Sequence, residues 1–151
     1  MIRLSRLADY AVAILCEMAS HPDGTLSAKY LSERTRISES TVMKILKLLA
    51  KHKIILSSRG SKGGYSVCQI PQDTTLLSII QAIDGPITST VCSEHGSHPC
   101  ELEANCLSRH GWKKVNSALE ETLAQFNLTD FIKQKHKSPS YMNLLKEHHV
   151  A

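Results

Sequence analysis

The order of three segments in the first half of the chain constrains its fold more than any other feature. Two short segments with helical spacing of apolar residues, 27–35 and 38–51, follow one another closely. Two β-type runs, residues 54–58 and 65–68, come next, and the basic segment Arg59-Gly60-Ser61-Lys62-Gly63-Gly64 joins them. Its glycines permit the positive φ angles of a tight hairpin. Two short helices followed by a basic, glycine-rich hairpin predict a winged helix-turn-helix.

Capping and turn residues predict where the first three helices begin and end. Residues 3–20 carry apolar side chains at helical spacing, and His21-Pro22-Asp23-Gly24 ends this pattern with turn-forming residues. Ser27 and Ser38 are good N-cap residues for the second and third helices. The third helix combines an apolar stripe with outward hydroxyl and lysine side chains, so it is predicted to be amphipathic and basic.

Two more helices are predicted beyond the hairpin. The fourth runs from Leu76 to Asp84, with Thr74 or Thr75 as its N-cap and Gly85-Pro86 at its end. A long helix follows, in which apolar residues recur at steps of three and four: Trp112, Val115, Leu119, Leu123 and Phe126. This apolar seam resembles a dimerisation surface, and the alternative is a helix packed on its own domain. The predicted fold is mainly α with a small β-wing: a winged helix-turn-helix domain plus a long dimerisation helix.

Basic side chains and hydroxyls in the helix-turn-helix and the wing point to DNA as a partner. Residues 1–67 hold eleven basic and five acidic residues, against seven and nine in residues 68–151. In this geometry the N-terminal end of the third helix enters the major groove, and the wing tip reaches the minor groove or a phosphate. The alternative is a solvated basic surface. The candidate DNA-binding residues are Ser38, Ser40, Thr41, Lys44, Lys47, Arg59 and Lys62.

Composition limits the other classes of function. With 42% apolar residues the chain can build a single core. Charged residues interrupt the apolar pattern of the first twenty positions, so no signal peptide or membrane span is predicted and a cytoplasmic location is expected. In that reducing compartment the five cysteines are expected to be thiols or metal ligands. The sequence contains no nucleophile elbow, phosphate-binding glycine loop or HExxH helix, so an enzyme is not expected.

Three cysteines beyond the wing form a candidate metal site. Cys92, Cys100 and Cys106 are separated by seven and then five residues, which is too wide for the paired hooks of a zinc ribbon. Thiolates suit iron–sulfur clusters and zinc alike, so spacing alone leaves the metal open. The histidines that could complete a zinc site are His95, His98 and His110. Cys16 in the first helix and Cys68 in the second strand are expected to be small apolar fillers rather than ligands.

Three segments resemble the Rrf-type family of winged-helix iron–sulfur transcription regulators, which includes IscR-like and NsrR-like members. They are the opening Arg3-Leu4-Ser5-Arg6-Leu7-Ala8-Asp9-Tyr10-Ala11, the wing sequence from Arg59 to Tyr65, and the three-cysteine loop. The resemblance covers residues 1–131. The segment from Cys100 to Trp112 is most similar to the subgroup that regulates the SUF system of iron–sulfur assembly.

The resemblance implies a homodimer that binds a partly palindromic double-stranded DNA operator. It also implies an iron–sulfur cluster on the three cysteines, with [2Fe–2S] favoured over [4Fe–4S]. The first two cysteines are more widely spaced than in IscR-like members, which carry a histidine ligand where this chain has Arg109. Asp9 is favoured as the fourth ligand, supplied by the partner subunit, because NsrR-like members place an acidic ligand in the N-terminal helix. His110 is the alternative fourth ligand.

The predicted regions follow from these assignments. The periodicity of the winged domain vanishes after its fourth helix, and a long segment without secondary structure is uncommon in a compact domain unless something organises it. The polar end of the chain is typical of a flexible tail. The regions are the winged helix-turn-helix domain 1–86, the cluster-binding loop 87–106, the dimerisation helix with a short return segment 107–131, and the tail 132–151.

The predicted function is therefore that of an iron–sulfur transcription regulator, and specifically a repressor that controls cluster-assembly genes. Cluster status, redox state or nitric oxide is the expected signal. A hard carboxylate is an unusual and easily displaced cluster ligand, which suits a responsive site. The alternative is a zinc-dependent winged-helix repressor that uses the same cysteines together with a histidine.

Overall fold

The computed structural model describes residues 4–60, 63–68, 71–87 and 106–132. These residues form a mainly helical fold with one two-stranded antiparallel sheet, which confirms the predicted fold class. The elements in chain order are α1 (Arg6–Ala19), α2 (Ala28–Thr35), α3 (Glu39–Lys51), β1 (Ile55–Ser58), β2 (Gly64–Val67), α4 (Leu76–Asp84), α5 (Arg109–Ala124) and a 3-10 helix (Leu128–Asp130). No helix among the described residues is long and apolar enough to cross a membrane.

Side-chain caps explain where three of the helices begin. The Ser5 hydroxyl accepts a hydrogen bond of 3.0 Å from the Ala8 amide, so α1 begins at residue 6 rather than at residue 3. Ser27 and Thr75 accept in the same way from the amide three residues on, each at 3.1 Å. Of the two candidate caps for α4, Thr75 is therefore the one used, and α4 has the predicted bounds.

The core lies where α1, α2, α3 and α4 meet. Each helix turns one apolar stripe inward, as its 3.6-residue periodicity predicts. Burying a large aliphatic side chain contributes about 1.5–3 kcal/mol, so this cluster is the main stabilising feature of the described fold. Its largest fully buried side chains are Ile14, Leu15, Met18, Leu31, Val42, Ile45, Leu46, Leu49, Ile55, Ile79 and Leu128.

The wing is attached to the helical core by apolar packing and by backbone hydrogen bonds. Ile55 of β1 is buried in the core, and Tyr65 and Val67 of β2 pack against it. β1 and β2 pair from Ile55 with Val67 to Ser58 with Gly64. Tyr65 in β2 also exchanges two backbone hydrogen bonds with Leu26, at 2.8 and 2.9 Å, just before α2 begins. This approach requires a glycine at position 64, because a Cβ there would lie 2.7 Å from the Leu26 carbonyl oxygen. The wing is therefore anchored beside the helix-turn-helix.

The long helix α5 ends earlier than the apolar seam predicts. It stops at Ala124, so Phe126 lies outside it, and the Phe126 carbonyl accepts a hydrogen bond from the Leu76 amide at 2.8 Å. The prediction that one helix carries the whole seam is wrong, because Asn127 caps the following 3-10 helix and turns the chain back onto α4. Leu123 packs on the small cluster of α1 and α4, so this part of the seam belongs to the protein's own domain.

Candidate nucleic-acid interface and thiol site

The amphipathic character of α3 presents a polar face to solvent. Its buried residues are Val42, Ile45, Leu46 and Leu49. The opposite face carries Ser40, Lys44 and Lys47, all of them exposed, as the sequence predicted. A helix with this division of faces can rest on the domain core and still offer one complete side to a DNA groove.

Three hydroxyl groups cluster at the N-terminal end of α3. Ser38 occupies the N-cap position, but its side chain makes no capping hydrogen bond to the backbone, so the prediction of a Ser38 side-chain cap is wrong. Its Oγ lies 2.8 Å from Thr41 Oγ1 and 3.3 Å from Ser40 Oγ instead. Hydroxyls both donate and accept hydrogen bonds, so this group can contact either base edges or phosphate oxygens.

The wing places a basic residue next to its turn. Arg59 directly follows β1 and is exposed, and Gly60 beside it has a φ of 116°, which favours glycine. The Ser58 hydroxyl closes the base of the turn by accepting from the Gly64 amide at 3.2 Å. Lys62, the other predicted wing contact, lies outside the described residues.

A basic cavity beside α3 contains residues that the sequence analysis missed. It has a volume of about 580 Å³, and Arg6 and Tyr10 of α1 and Arg36 of the α2–α3 turn line it together with Ser38, Thr41 and Lys44. The signal in the sequence was the excess of basic residues in 1–67. A count of basic residues does not indicate which of them, from separate elements, lie around one cavity.

Cys106 is the only predicted cysteine ligand within the described residues. It is partly exposed and lies just before α5, and its Sγ is 3.4 Å from the Ser108 hydroxyl. Hydrogen bonding by the Ser108 side chain, with a further contribution from the Ser108 backbone, lowers the pKa of the Cys106 thiol. A lowered pKa favours the thiolate, which is the form that binds metals. Cys92 and Cys100, with His95 and His98, lie outside the described residues.

The other two described cysteines differ from each other. Cys16 packs against the core, and its burial raises the pKa of its thiol, as expected of a small apolar filler. Cys68 follows β2 and is exposed, so the interpretation of Cys68 as a buried filler is wrong. The strand ends at Val67, so the Cys68 side chain extends beyond the packed part of the wing.

The two candidates for a fourth ligand lie on different helices. Asp9 is exposed in the first turn of α1 and lines a cavity of about 820 Å³ between α1 and α4. Apolar side chains form most of its wall, including Leu4, Ile80 and Phe131. His110 is exposed in the first turn of α5. Within the described part of this single chain, no three potential metal ligands come together.

Comparisons with known proteins agree with this architecture. Residues 4–134 match the family model described as Rrf2, iron-dependent transcriptional regulator. The transcriptional regulator IscR of Photobacterium profundum is 29% identical over 133 residues, which cover 87% of this chain and 76% of that protein. The solved structure of T. potens IscR has a TM-score of 0.68 at 25% identity and covers 94% of this chain and 96% of that one. The structure of CymR, the global cysteine regulator of B. subtilis, has a TM-score of 0.64 at 27% identity, covering 87% of this chain and 97% of that one.

Proposed function

The chain belongs to the Rrf2 family of transcriptional regulators, and from that premise we propose that it is a repressor whose DNA binding depends on an iron–sulfur cluster. As a DNA-binding winged-helix regulator it is not an enzyme. The proposed cluster ligands are Cys92, Cys100 and Cys106, with Asp9 as the fourth. The observation that carries the proposal is the Cys106 thiol, which is partly exposed at the start of α5 and has a lowered pKa.

The chemistry of Cys106 fits a soft metal centre. The Ser108 hydroxyl stabilises the thiolate, and hydrogen bonds to a cluster sulfur or thiolate are a known means of tuning such centres. Burial of Cys16 has the opposite effect on its thiol, which fits a packing role for that residue. An iron–sulfur cluster bound by the cysteines would supply a group that oxygen, nitric oxide or iron supply can alter.

The proposal includes a homodimer, because two apolar surfaces of the single chain lack a cover within the described residues. On α5, Trp112 and Val115 are 40% and 42% exposed. On the groove between α1 and α4, Leu4 and Phe131 are 48% and 41% exposed. Exposed aromatic and aliphatic groups of this size mark interaction surfaces. A second copy that covers both would bring its α5 toward Asp9.

Charge complementarity favours that arrangement. Asp9 and Asp84 line the groove together with Arg6, so its carboxylates outnumber its cations, whereas Lys113 and Lys114 directly follow Trp112 on α5. Opposite charges around two apolar surfaces favour one relative orientation of the two copies. In this arrangement the start of α5, next to Cys106, lies near Asp9 of the second copy, which would complete the ligand set in trans.

A zinc-dependent repressor is the second candidate function. Cys106 and His110 lie four residues apart at the start of α5, and tetrahedral zinc takes thiolate and imidazole ligands. Zinc would make the site a structural or zinc-sensing centre rather than a redox sensor. The two candidates differ in colour, because zinc is spectroscopically silent and iron–sulfur clusters absorb visible light.

Anaerobic purification of the full chain tests the proposal. We expect a brown protein with a visible absorption band and with iron and acid-labile sulfide in equal amounts. Cys106→Ser should lose most of this absorption, because serine cannot replace the thiolate as an iron ligand. Cys68→Ser is the matched control, since Cys68 is exposed but outside the proposed ligand set, and its spectrum should be unchanged. A colourless wild-type protein containing zinc would establish the second candidate instead.

A further inference from the structure

The basic cavity defined by Arg6, Tyr10, Arg36, Ser38, Thr41 and Lys44 unites three cationic side chains from three parts of the fold. Arg6 belongs to the first turn of α1, Arg36 to the turn between α2 and α3, and Lys44 to α3. All three are exposed, and among the described residues none of them forms an ion pair. Three uncompensated cations around one concavity favour an anionic occupant.

Arg34, two residues before Arg36, forms an ion pair within the domain and provides a comparison. Arg34 in the last turn of α2 places its Nε 2.8 Å from Glu17 Oε1. That hydrogen bond and charge raise the pKa of Arg34. Arg36, only two residues later, has no such carboxylate partner among the described residues. The positive charge of Arg34 is therefore satisfied within the protein, whereas that of Arg36 is available to a ligand.

The backbone at Arg36 is held in a conformation that costs an arginine free energy. Its φ of 60° and ψ of 24° lie in the left-handed region, where glycine or asparagine is usual. Two hydrogen bonds hold this turn: the Arg36 amide donates to the Ser32 carbonyl at 2.8 Å, and the Ser32 hydroxyl donates to the Ile37 carbonyl at 2.6 Å. Neither bond uses the Arg36 side chain, so the turn could accept a glycine and leaves the guanidinium available for another contact.

The remaining wall of the cavity consists of two apolar residues, Leu7 and Ile37, and of neutral hydroxyl groups. Tyr10 is half-buried, and Ser38 and Thr41 belong to the hydroxyl cluster at the start of α3. Guanidinium groups bind phosphate in a bidentate way, and serine, threonine and tyrosine hydroxyls commonly add hydrogen bonds to phosphate oxygens. The composition of the cavity thus matches a phosphate group.

We propose that this cavity binds one backbone phosphate of the DNA whose major groove receives α3, with Arg6 and Arg36 as its main ligands. DNA is the favoured source of the phosphate because the cavity shares Ser38, Thr41 and Lys44 with the predicted recognition face. A phosphate held there fixes the position of the N-terminal end of α3 over the base edges. This inference rests on DNA binding by the chain and adds contacts from α1 and from the α2–α3 turn.

Salt-dependent DNA titrations test the proposal. The full-length protein is titrated into a labelled DNA duplex of mixed sequence, and binding is followed by fluorescence anisotropy. The duplex has about 30 base pairs, a length sufficient for two half-sites one helical turn apart with flanking DNA. Arg6→Gln and Arg36→Gln should each weaken binding about tenfold, as expected for a charge-assisted hydrogen bond. The logarithm of the binding constant falls linearly with the logarithm of the salt concentration. Each substitution should reduce the magnitude of this slope by about one, because one phosphate contact is lost.

Two further variants separate a phosphate contact from a structural effect. Arg34→Gln removes the same charge from a guanidinium that Glu17 already neutralises, and it should leave the salt slope unchanged. Arg36→Gly should raise the melting temperature by relieving the left-handed backbone while still weakening DNA binding. If Arg36 had only a structural role, its loss would lower both the melting temperature and the DNA affinity. A higher melting temperature together with a lower affinity would exclude that role.

The outcomes distinguish the possible failures. If the wild-type protein binds no DNA even at low salt, DNA binding itself fails and this inference fails with it. If the wild type binds but both arginine variants match it, the phosphate site alone is refuted. A free anion is tested with inorganic phosphate against chloride at equal ionic strength. If phosphate raises the melting temperature of the wild type but not of Arg36→Gln, and DNA affinity does not differ, the cavity serves a small anion and the DNA assignment is overturned.

Discussion

Substituting Gly64 with alanine should weaken the attachment of the wing to the segment before α2. A Cβ at position 64 would lie 2.7 Å from the Leu26 carbonyl oxygen and 2.8 Å from Thr25 Cγ2. Ordinary carbon–oxygen contacts are about 3.3 Å or longer, so β2 must move away by about half an ångström. The two hydrogen bonds between Leu26 and Tyr65, at 2.8 and 2.9 Å, oppose that movement. At about 0.5–1.5 kcal/mol for each bond, the expected loss of stability is about 1–3 kcal/mol.

The displacement should reduce DNA affinity as well as stability. Arg59 sits on the same hairpin, so a wing that separates from residue 26 no longer presents this side chain at a fixed distance from α3. We expect the melting temperature to fall by about 3 °C for each kcal/mol lost, and DNA binding to weaken about tenfold. Differential scanning calorimetry and fluorescence anisotropy at one salt concentration measure the two effects.

A second glycine provides the control for this experiment. A Cβ on Gly111 in α5 would meet no atom within 4 Å, so Gly111→Ala should stabilise the helix by about 0.5–1 kcal/mol and leave DNA affinity unchanged. If Gly64→Ala equals the wild type in both melting temperature and affinity, the close approach of the wing to Leu26 does not hold the hairpin in place.

Three further predictions follow from other parts of the structure. Thr74 is 1% exposed, and its hydroxyl has no hydrogen-bond partner among the described residues. Thr74→Val should therefore raise the free energy of unfolding by about 1 kcal/mol, and a decrease measured by urea denaturation would contradict this. Leu119→Glu, at the centre of α5, should convert the proposed dimer into monomers, and sedimentation velocity of both proteins at micromolar concentration decides it. The proposed cluster-bound and apo forms should differ about five- to 150-fold in operator affinity, and Asp9→Ala should reduce that ratio; equal affinities of the two forms under anaerobic conditions would refute cluster control.

Much of the winged domain could be predicted because its signals are local. α4 has its predicted bounds, since Thr75 caps it and Gly85 ends it within the same short stretch of chain. In the hairpin, Gly60 has the positive φ that the sequence predicts for the turn. The inward stripe of α3 followed from its periodicity alone. Local chemistry of this kind acts before any tertiary contact forms, so the order of residues is enough to reveal it.

The differences arise at residues whose sequence pattern is compatible with more than one local arrangement. Phe126 continues the apolar spacing of α5, yet its backbone carbonyl pairs with Leu76 and the helix ends before it. The hydroxyl of Ser38 is suited to capping, but two neighbouring hydroxyls engage it first. Cys68 follows an apolar run and still lies in solvent, because the strand ends one residue earlier. Only the contact of Phe126 joins residues that are distant in sequence; the partners of Ser38 lie within three residues of it.

The candidate sites bring together residues that are distant in sequence, and α1 contributes to both sites. Arg6 and Arg36 are thirty positions apart, and only the packing of α1 against the helix-turn-helix brings them to one cavity. The first two turns of α1 line the two cavities described above. Asp9 lines the groove at α4, Tyr10 lines the basic cavity at α3, and Arg6 lines both. One helix therefore carries the proposed fourth cluster ligand and two of the groups inferred to hold DNA.

This shared helix provides a physical route from the proposed cluster to the DNA. The middle of α1 is fixed, because Ile14 and Leu15 are fully buried in the core. In its first turn Arg6 and Asp9 are exposed, whereas Leu7 and Ala8 pack on the core and on α4. Ligation of Asp9 would add a restraint to that first turn, and loss of the ligand would remove it. A change there would shift Arg6 relative to Ser38 and Thr41, which line the same cavity. Cluster state and phosphate binding would then both influence the position of the first turn of α1. A structural element that two sites both influence is the condition for coupling between them.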